Sequence, residues 1–393
     1  MKWANHTRGT SERGYMIHNI PLRLAFRAVR YRLLKVSGRP ALPEALSIEV
    51  TRRCIARCVM CNIWRSPADL PELSVGQWLE VLRSPVLSEL KELDITGGEP
   101  FLREDLERLL LGISRLKGEH LQHLRSIAIT TNGILTQKIL DEVKAVIAPL
   151  EQAGISLVFA CGMDAVGEVH DRIRNVTGGW VRLHATIEGL KTLRNQHPSL
   201  VIGIKTTVSR FNIDELEQLC NYADKQELFT IISPYILTAN RYANIGQDDV
   251  LALSPADTLK LKDFYNSPRF RWSYHRRELL RFLETGRMEK PCSAGFNYFF
   301  IRSTGELFAC PIIAAPLGNV TRTPLAQLAR SPMAARFRRG VSDFPECATC
   351  TEPGLERYAL PFEGSHYLRL YLSMNQQDFS TLHDHLGLEK YFP

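Results

Sequence analysis

Between residues 45 and 235 six β-rich stretches alternate with helical patterns, and this rhythm limits the fold more than any other feature. The stretches are 45–51, 90–96, 125–131, 155–163, 201–208 and 229–234. Helical periodicity falls near 75–86, 103–117, 136–150, 178–195 and 213–224. Every gap is long enough for a crossover helix, which parallel strands need and hairpins do not. The pattern predicts an α/β fold on a parallel sheet. Six units are fewer than the eight of a closed barrel, so a partial barrel and a doubly wound sheet both fit.

After residue 240 the rhythm breaks. Residues 255–290 read as helical and charged, and 323–340 as helical and basic. Between them Tyr298–Arg302 and Glu306–Ala309 flank Ser303-Thr304-Gly305 as a hairpin would. Three parts are expected: an arm over 1–44, a core over 45–254 and a second module over 255–393. Of the net charge of +7, the first forty residues hold nine Lys/Arg against Glu12 alone, so the remainder sums to −1. A charge confined to one arm argues against a general nucleic-acid surface. Within the arm Leu22, Phe26, Val29 and Leu33 recur at helical spacing beside Arg23, Arg27 and Arg30. Such a helix either covers the body or makes a peripheral contact with an anionic membrane.

Seven of the nine cysteines fall into two groups. Cys54, Cys58 and Cys61 follow the first β-rich stretch in a C-x3-C-x2-C run, at the sheet edge where parallel α/β folds bind ligands. Three thiolates leave one coordination position open, as chemistry needs; zinc at this spacing is the alternative. Cys292, Cys310, Cys347 and Cys350 make a set of four, which fits a fully ligated cluster or a structural zinc ion. Cys220 reads as a buried apolar residue, and Cys161 falls at a strand's functional edge. Directly after the second β-rich stretch comes Thr96-Gly97-Gly98-Glu99-Pro100. Its two glycines let backbone approach a ligand, and Glu99 offers a negative group to an ammonium.

The chain resembles the radical S-adenosylmethionine (SAM) superfamily. The matching residues are the three cysteines, the Gly97–Pro100 turn, Thr131-Asn132-Gly133 and the stretch from Met163-Asp164-Ala165 to Arg174. The resemblance implies a partial (β/α)6 TIM-like barrel with a small C-terminal α+β iron–sulfur module. It implies a [4Fe-4S] cluster on Cys54, Cys58 and Cys61, with SAM chelating the fourth iron. The SAM amino group would then meet Gly97, Gly98, Glu99 and Pro100, with Asn132 nearby and Lys205 at the carboxylate. Met60 stands where relatives often place an aromatic residue against adenine. Cys161-Gly162-Met163-Asp164-Ala165 replaces a Ser-x-Asp-Gly of many relatives. Cys292, Cys310, Cys347 and Cys350 resemble the twitch module, a shortened SPASM domain, which implies one auxiliary [4Fe-4S] cluster.

That resemblance implies an enzyme that cleaves SAM reductively to a 5′-deoxyadenosyl radical and takes a hydrogen atom from an organic substrate. An auxiliary cluster as electron acceptor favours net oxidation. The substrate is expected to be a small sugar- or cyclitol-like molecule or a peptide, with a flavodoxin- or ferredoxin-type reductant. A maturase working with a separate peptide-recognition partner and a non-catalytic zinc protein are the alternatives. Asp164, His170 and Asp171 are the titratable groups expected near the site, with no acid or base singled out. No apolar window is long enough to cross a bilayer and no signal peptide is evident, which together point to the cytoplasm.

Overall fold

A computed structural model describes residues 10–67 and 69–392. After helix α1 (Thr10–Ser37), the strands β1 (Ala45–Thr51), β2 (Glu92–Gly97), β3 (Ser126–Thr131), β4 (Ser156–Gly162), β5 (Leu200–Val208) and β6 (Phe229–Pro234) pair in chain order. All five pairings are parallel. Between them run α2 (Val75–Leu82), α3 (Leu106–Leu116), α4 (Thr136–Gln152), α5 (Glu168–Arg174), α6 (Gly179–Gln196) and α7 (Leu216–Lys225). This is the partial (β/α)6 barrel. The period of the side chains explains its two faces. On β1, Leu46, Ile48 and Val50 join the apolar core, whereas Ser47 alternates with them and lines the barrel interior.

The helices form where apolar residues recur on one face. Leu106, Leu109, Leu110, Ile113 and Leu116 are the buried stripe of α3. Helix α2 starts at a capping box in which Ser74 accepts from Gln77 N and the Gln77 side chain accepts from Ser74 N.

The C-terminal part continues the same sheet. Strand β7 (Tyr298–Ile301) pairs parallel with β1, and β8 (Glu306–Phe308) returns antiparallel as the expected hairpin. Strand β9 (Pro316–Asn319) then extends a nine-stranded sheet of order β6-β5-β4-β3-β2-β1-β7-β8-β9. At the opposite end of the barrel from the cysteine loop, Glu92 accepts from Tyr391 Oη at 2.6 Å and pairs with Arg357 at 2.8 Å and Lys390 at 3.2 Å. Burial alone would raise Glu92, but Arg357 and Lys390 outweigh it and hold the carboxyl below its usual range.

Helix α1 lies on the helices Pro353–Glu363 and Ser365–Ser373. It packs through Leu24 and Tyr31, both buried. The helix thus covers the body as one expectation held, but through another face, since the stripe Leu22, Phe26, Val29 and Leu33 is turned outward. A buried Leu24–Tyr31 face shows no marked periodicity in sequence because Arg27 lies within it, donating to Pro361 O and Tyr391 O. Among the described residues no helix is long and apolar enough to cross a membrane.

Candidate active site

The three-cysteine loop leaves the C-terminal end of β1 and is held by backbone at both sides. Arg57 N and Val59 N donate to Arg174 O and Ile173 O at the end of α5, at 3.1 and 2.9 Å. Gly98 N and Glu99 N donate to Thr51 O and Arg53 O, each at 2.8 Å. The turn after β2 therefore lies directly on the lead-in to Cys54. Only glycine fits there, since a Cβ on Gly98 would sit 2.2 Å from Arg53 O and one on Gly97 2.3 Å from Thr51 O.

Cys54, Cys58, Met60, Cys61, Gly97, Gly98, Asn132 and Lys205 line one cavity of about 140 Å³. Asn132 Nδ2 points at Cys54 Sγ (3.9 Å), and an Arg174 amine donates to Cys58 Sγ at 3.7 Å. Burial pushes the Cys54 thiol up to about 12 and the Cys61 thiol up to about 11, so these sulfurs gain most as anions when a metal compensates them. Among the described residues no three His, Cys, Asp or Glu side chains close on a single-ion site. The thiols rim open space instead.

Glu99 and Pro100 do not line that cavity. Glu99 is fully buried behind the turn, accepting from Thr131 Oγ1 at 2.8 Å, Asn132 N at 2.7 Å and Phe101 N at 3.2 Å. Its carboxylate, expected to meet an ammonium, ties β3 to the turn. Burial raises it to about 7. Lys205 does reach the cavity, but its ammonium also lies 3.6 Å from Glu352 of the C-terminal part, which raises it.

Of the titratable neighbours expected from sequence, Asp164 stands next to the cysteine cavity through Arg174, and none of the three lines the cavity itself. Asp164 pairs with Arg174 at 2.7 Å and accepts from Thr207 N, and Asp171 accepts from Gly178 N and Trp180 N at the start of α6. His170 accepts from Asp164 N, and burial lowers it to about 3, so it stays neutral. Cys161 and Cys220 are buried outside both groups, and none of the nine cysteines is paired in a disulfide.

A second cavity of about 190 Å³ fills the barrel interior and shares Thr96, Thr130, Lys205, Arg241 and Tyr242 with the first. Asp94 lines it, accepting from Ser47 Oγ at 3.1 Å and from Tyr358 Oη, and burial raises its carboxyl. Arg241 spans both cavities, donating to Thr96 Oγ1 and lying 3.7 Å from buried Glu49. Sequence reasoning missed Arg174, Asp94, Arg241 and Glu352. Arg174 falls inside a family-like stretch, but nothing in its spacing gives it a role.

Cys292, Cys310, Cys347 and Cys350 line a third cavity of about 490 Å³. Tyr31 Oη donates to Cys292 O at 2.8 Å, and Ile312 N to Cys310 Sγ at 3.4 Å. Burial pushes Cys292 up to about 12 and Cys310 well above the usual thiol range. Four thiols around one space fit a closed cluster.

Residues 48–223 match the model of the radical SAM superfamily, and residues 292–351 match an iron-sulfur cluster-binding domain, SPASM. A GTP 3′,8-cyclase of Pelotomaculum thermopropionicum is 30% identical over 175 residues, 44% of this chain and 49% of the cyclase. The chain thus spans about half the length of the cyclase relatives it matches. The sporulation killing factor maturation protein SkfB of Bacillus subtilis is 21% identical over 84% of this chain and 75% of its own. Streptococcus suis SuiB superposes with a TM-score of 0.56 at 17% identity, over 79% of this chain and 70% of SuiB. anSMEcpe with bound AdoMet does so at 0.54 and 16%, over 88% and 99%. The chain thus contains a radical SAM domain over residues 48–223 and an iron-sulfur cluster-binding domain of the SPASM type over residues 292–351.

Proposed function

We propose that Cys54, Cys58 and Cys61 hold one [4Fe-4S] cluster whose fourth iron is left to SAM. Gly97 and Gly98 seat the SAM amino group, Asn132 and Lys205 lie beside it, and Glu99 and Pro100 brace the turn from behind. Cys292, Cys310, Cys347 and Cys350 hold a second, closed cluster. Bound there, these cofactors supply reductive cleavage of SAM, removal of a substrate hydrogen atom by the 5′-deoxyadenosyl radical and uptake of the electron left by net oxidation.

The wall shared by the cysteine cavity and the barrel interior carries this reading, because it sets the cysteine loop and the interior side by side. Arg174 supports Cys58 as a thiolate. Asp94 sets a carboxyl in the interior, raised by burial and held by Ser47 and Tyr358. An interior of about 190 Å³ suits a small organic molecule or one side chain. The second reading, a peptide substrate, is supported by the SkfB likeness and by SuiB, which has been crystallised with its precursor peptide SuiA. A flavodoxin- or ferredoxin-type protein supplies the electron.

Anaerobic reconstitution tests the assignment. About eight irons per chain are expected, and about four in Cys58→Ala and in Cys347→Ala. Cys58→Ala abolishes 5′-deoxyadenosine formation, whereas Cys347→Ala retains it. Zinc in place of iron, with no SAM cleavage under strong reductant, refutes the proposal.

A further inference from the structure

Helix α1 has two faces of different kinds. Leu24 and Tyr31 are buried against the body. On the other side Leu22, Phe26, Val29, Leu33 and Val36 are 76%, 70%, 61%, 66% and 82% exposed. Spaced three and four residues apart, they gather into one stripe about 21 Å long. Exposed apolar residues on a protein surface are ordinarily scattered singly, and a contiguous stripe marks a contact.

The stripe has basic borders. On the helical wheel Arg23 and Arg30 run along one edge and Arg32 along the other, all three exposed. No Asp or Glu occurs between Arg13 and Glu44. We infer that α1 seats the protein on an anionic lipid bilayer, with the stripe at the boundary of headgroups and acyl chains and the arginines among the phosphates. Charge decides between a bilayer and a second copy. Two-fold pairing of this stripe would set arginine-lined edges against each other, and a flat anionic surface meets both edges with the opposite sign. Tyr31 and Lys35 also line the four-cysteine cavity, so seating by α1 holds that cavity about one helix diameter, roughly 10 Å, from the lipid.

Flotation of the reconstituted full chain tests this with vesicles of phosphatidylglycerol mixed into phosphatidylcholine, and of phosphatidylcholine alone. Wild type is expected to float with the anionic vesicles and far less with the neutral ones. The double variant Phe26→Ser/Leu33→Ser alters only exposed positions and is expected to keep SAM cleavage while losing more than tenfold in partitioning. Arg32→Gln loses about fivefold on anionic vesicles only. The inference is overturned if wild type does not bind anionic vesicles or the serine variant floats as well as wild type. It is also overturned if the stripe variant abolishes a concentration-dependent dimer and leaves lipid binding untouched. SAM cleavage measured alongside separates this outcome from failure of the catalytic reading.

Discussion

Gly98→Ala tests whether the turn after β2 governs the cysteine loop. The added Cβ would meet Arg53 O at 2.2 Å, Arg53 C at 2.6 Å and Arg52 O at 2.8 Å, all backbone of the stretch leading into Cys54. A carbon rests against a carbonyl oxygen at about 3.3 Å, so turn and lead-in must part by about 1 Å. Parting weakens the bonds from Gly98 N to Thr51 O and from Glu99 N to Arg53 O. With overpacking of about 1–3 kcal/mol and about 1 kcal/mol for each of the two bonds, the expected loss of stability is about 3–5 kcal/mol. A displacement of that size next to the chemistry costs about 100-fold in rate. Urea denaturation of the apo chain and 5′-deoxyadenosine formation by the reconstituted one read the two effects. Gly154→Ala is the control: its φ is +68° and its Cβ would meet nothing within 4 Å, so it loses about 1–2 kcal/mol with SAM cleavage unchanged. Wild-type stability and turnover in Gly98→Ala would refute the reasoning.

Arg174→Met leaves buried Asp164 without its 2.7 Å partner and is expected to cost about 3–5 kcal/mol in denaturant titration. Asp164→Asn in the same chain should recover part of that loss, and no recovery contradicts the pairing. His170, held down to about 3 by burial, takes its proton only in the unfolded chain over much of the acid range. Its contribution is complete above the unfolded value of about 6.5 and falls by about 1.4 kcal/mol per pH unit below it. His170→Asn should flatten the acid limb of the stability profile, and an unchanged slope removes the histidine from the account. Glu352→Gln frees Lys205 from its 3.6 Å partner, so isothermal titration should show tighter SAM binding, with Lys205→Met weaker. Equal losses in both variants would mean that Lys205 serves only to hold Glu352.

The six parallel strands were legible because each is short, apolar and separated by a helical period. The structure moves their ends by two residues at most. The hairpin of β7 and β8 was legible from the Ser303-Thr304-Gly305 turn. Its pairing with β1 was not, because strands so far apart in sequence carry no local mark of one another. At the site the cysteines, Gly97 and Gly98 could be picked out from residue type and position after a strand, whereas Asn132 and Lys205 came from the family resemblance alone. The side chain of Glu99 could not be oriented that way. An acid in a turn reads as available, and only the three donors around it show that it is spent inside the fold. Asp94 was hidden because a single acid within an apolar strand resembles a lapse in alternation until Ser47 and Tyr358 are seen to bind it.

The C-terminal part does more than present four cysteines. Strand β7 covers the edge of β1 that the first six strands leave unpaired, and exposed strand edges invite association. Four charges of the barrel, Glu49, Lys205, Glu92 and Asp94, have partners across that seam. Arg302 joins Arg52 and Arg241 around buried Glu49, Glu352 faces Lys205, and Arg357 faces Glu92 and Asp94. Leaving such carboxylates buried without their cations costs about 3–5 kcal/mol each, comparable to the whole stability of a domain once two or three are summed. The barrel interior is therefore completed by residues of the C-terminal part, from Tyr265 to Leu386. The groups that shape it for a substrate come from both halves of the chain, and exchanging the C-terminal part for that of a relative would alter which substrate fits.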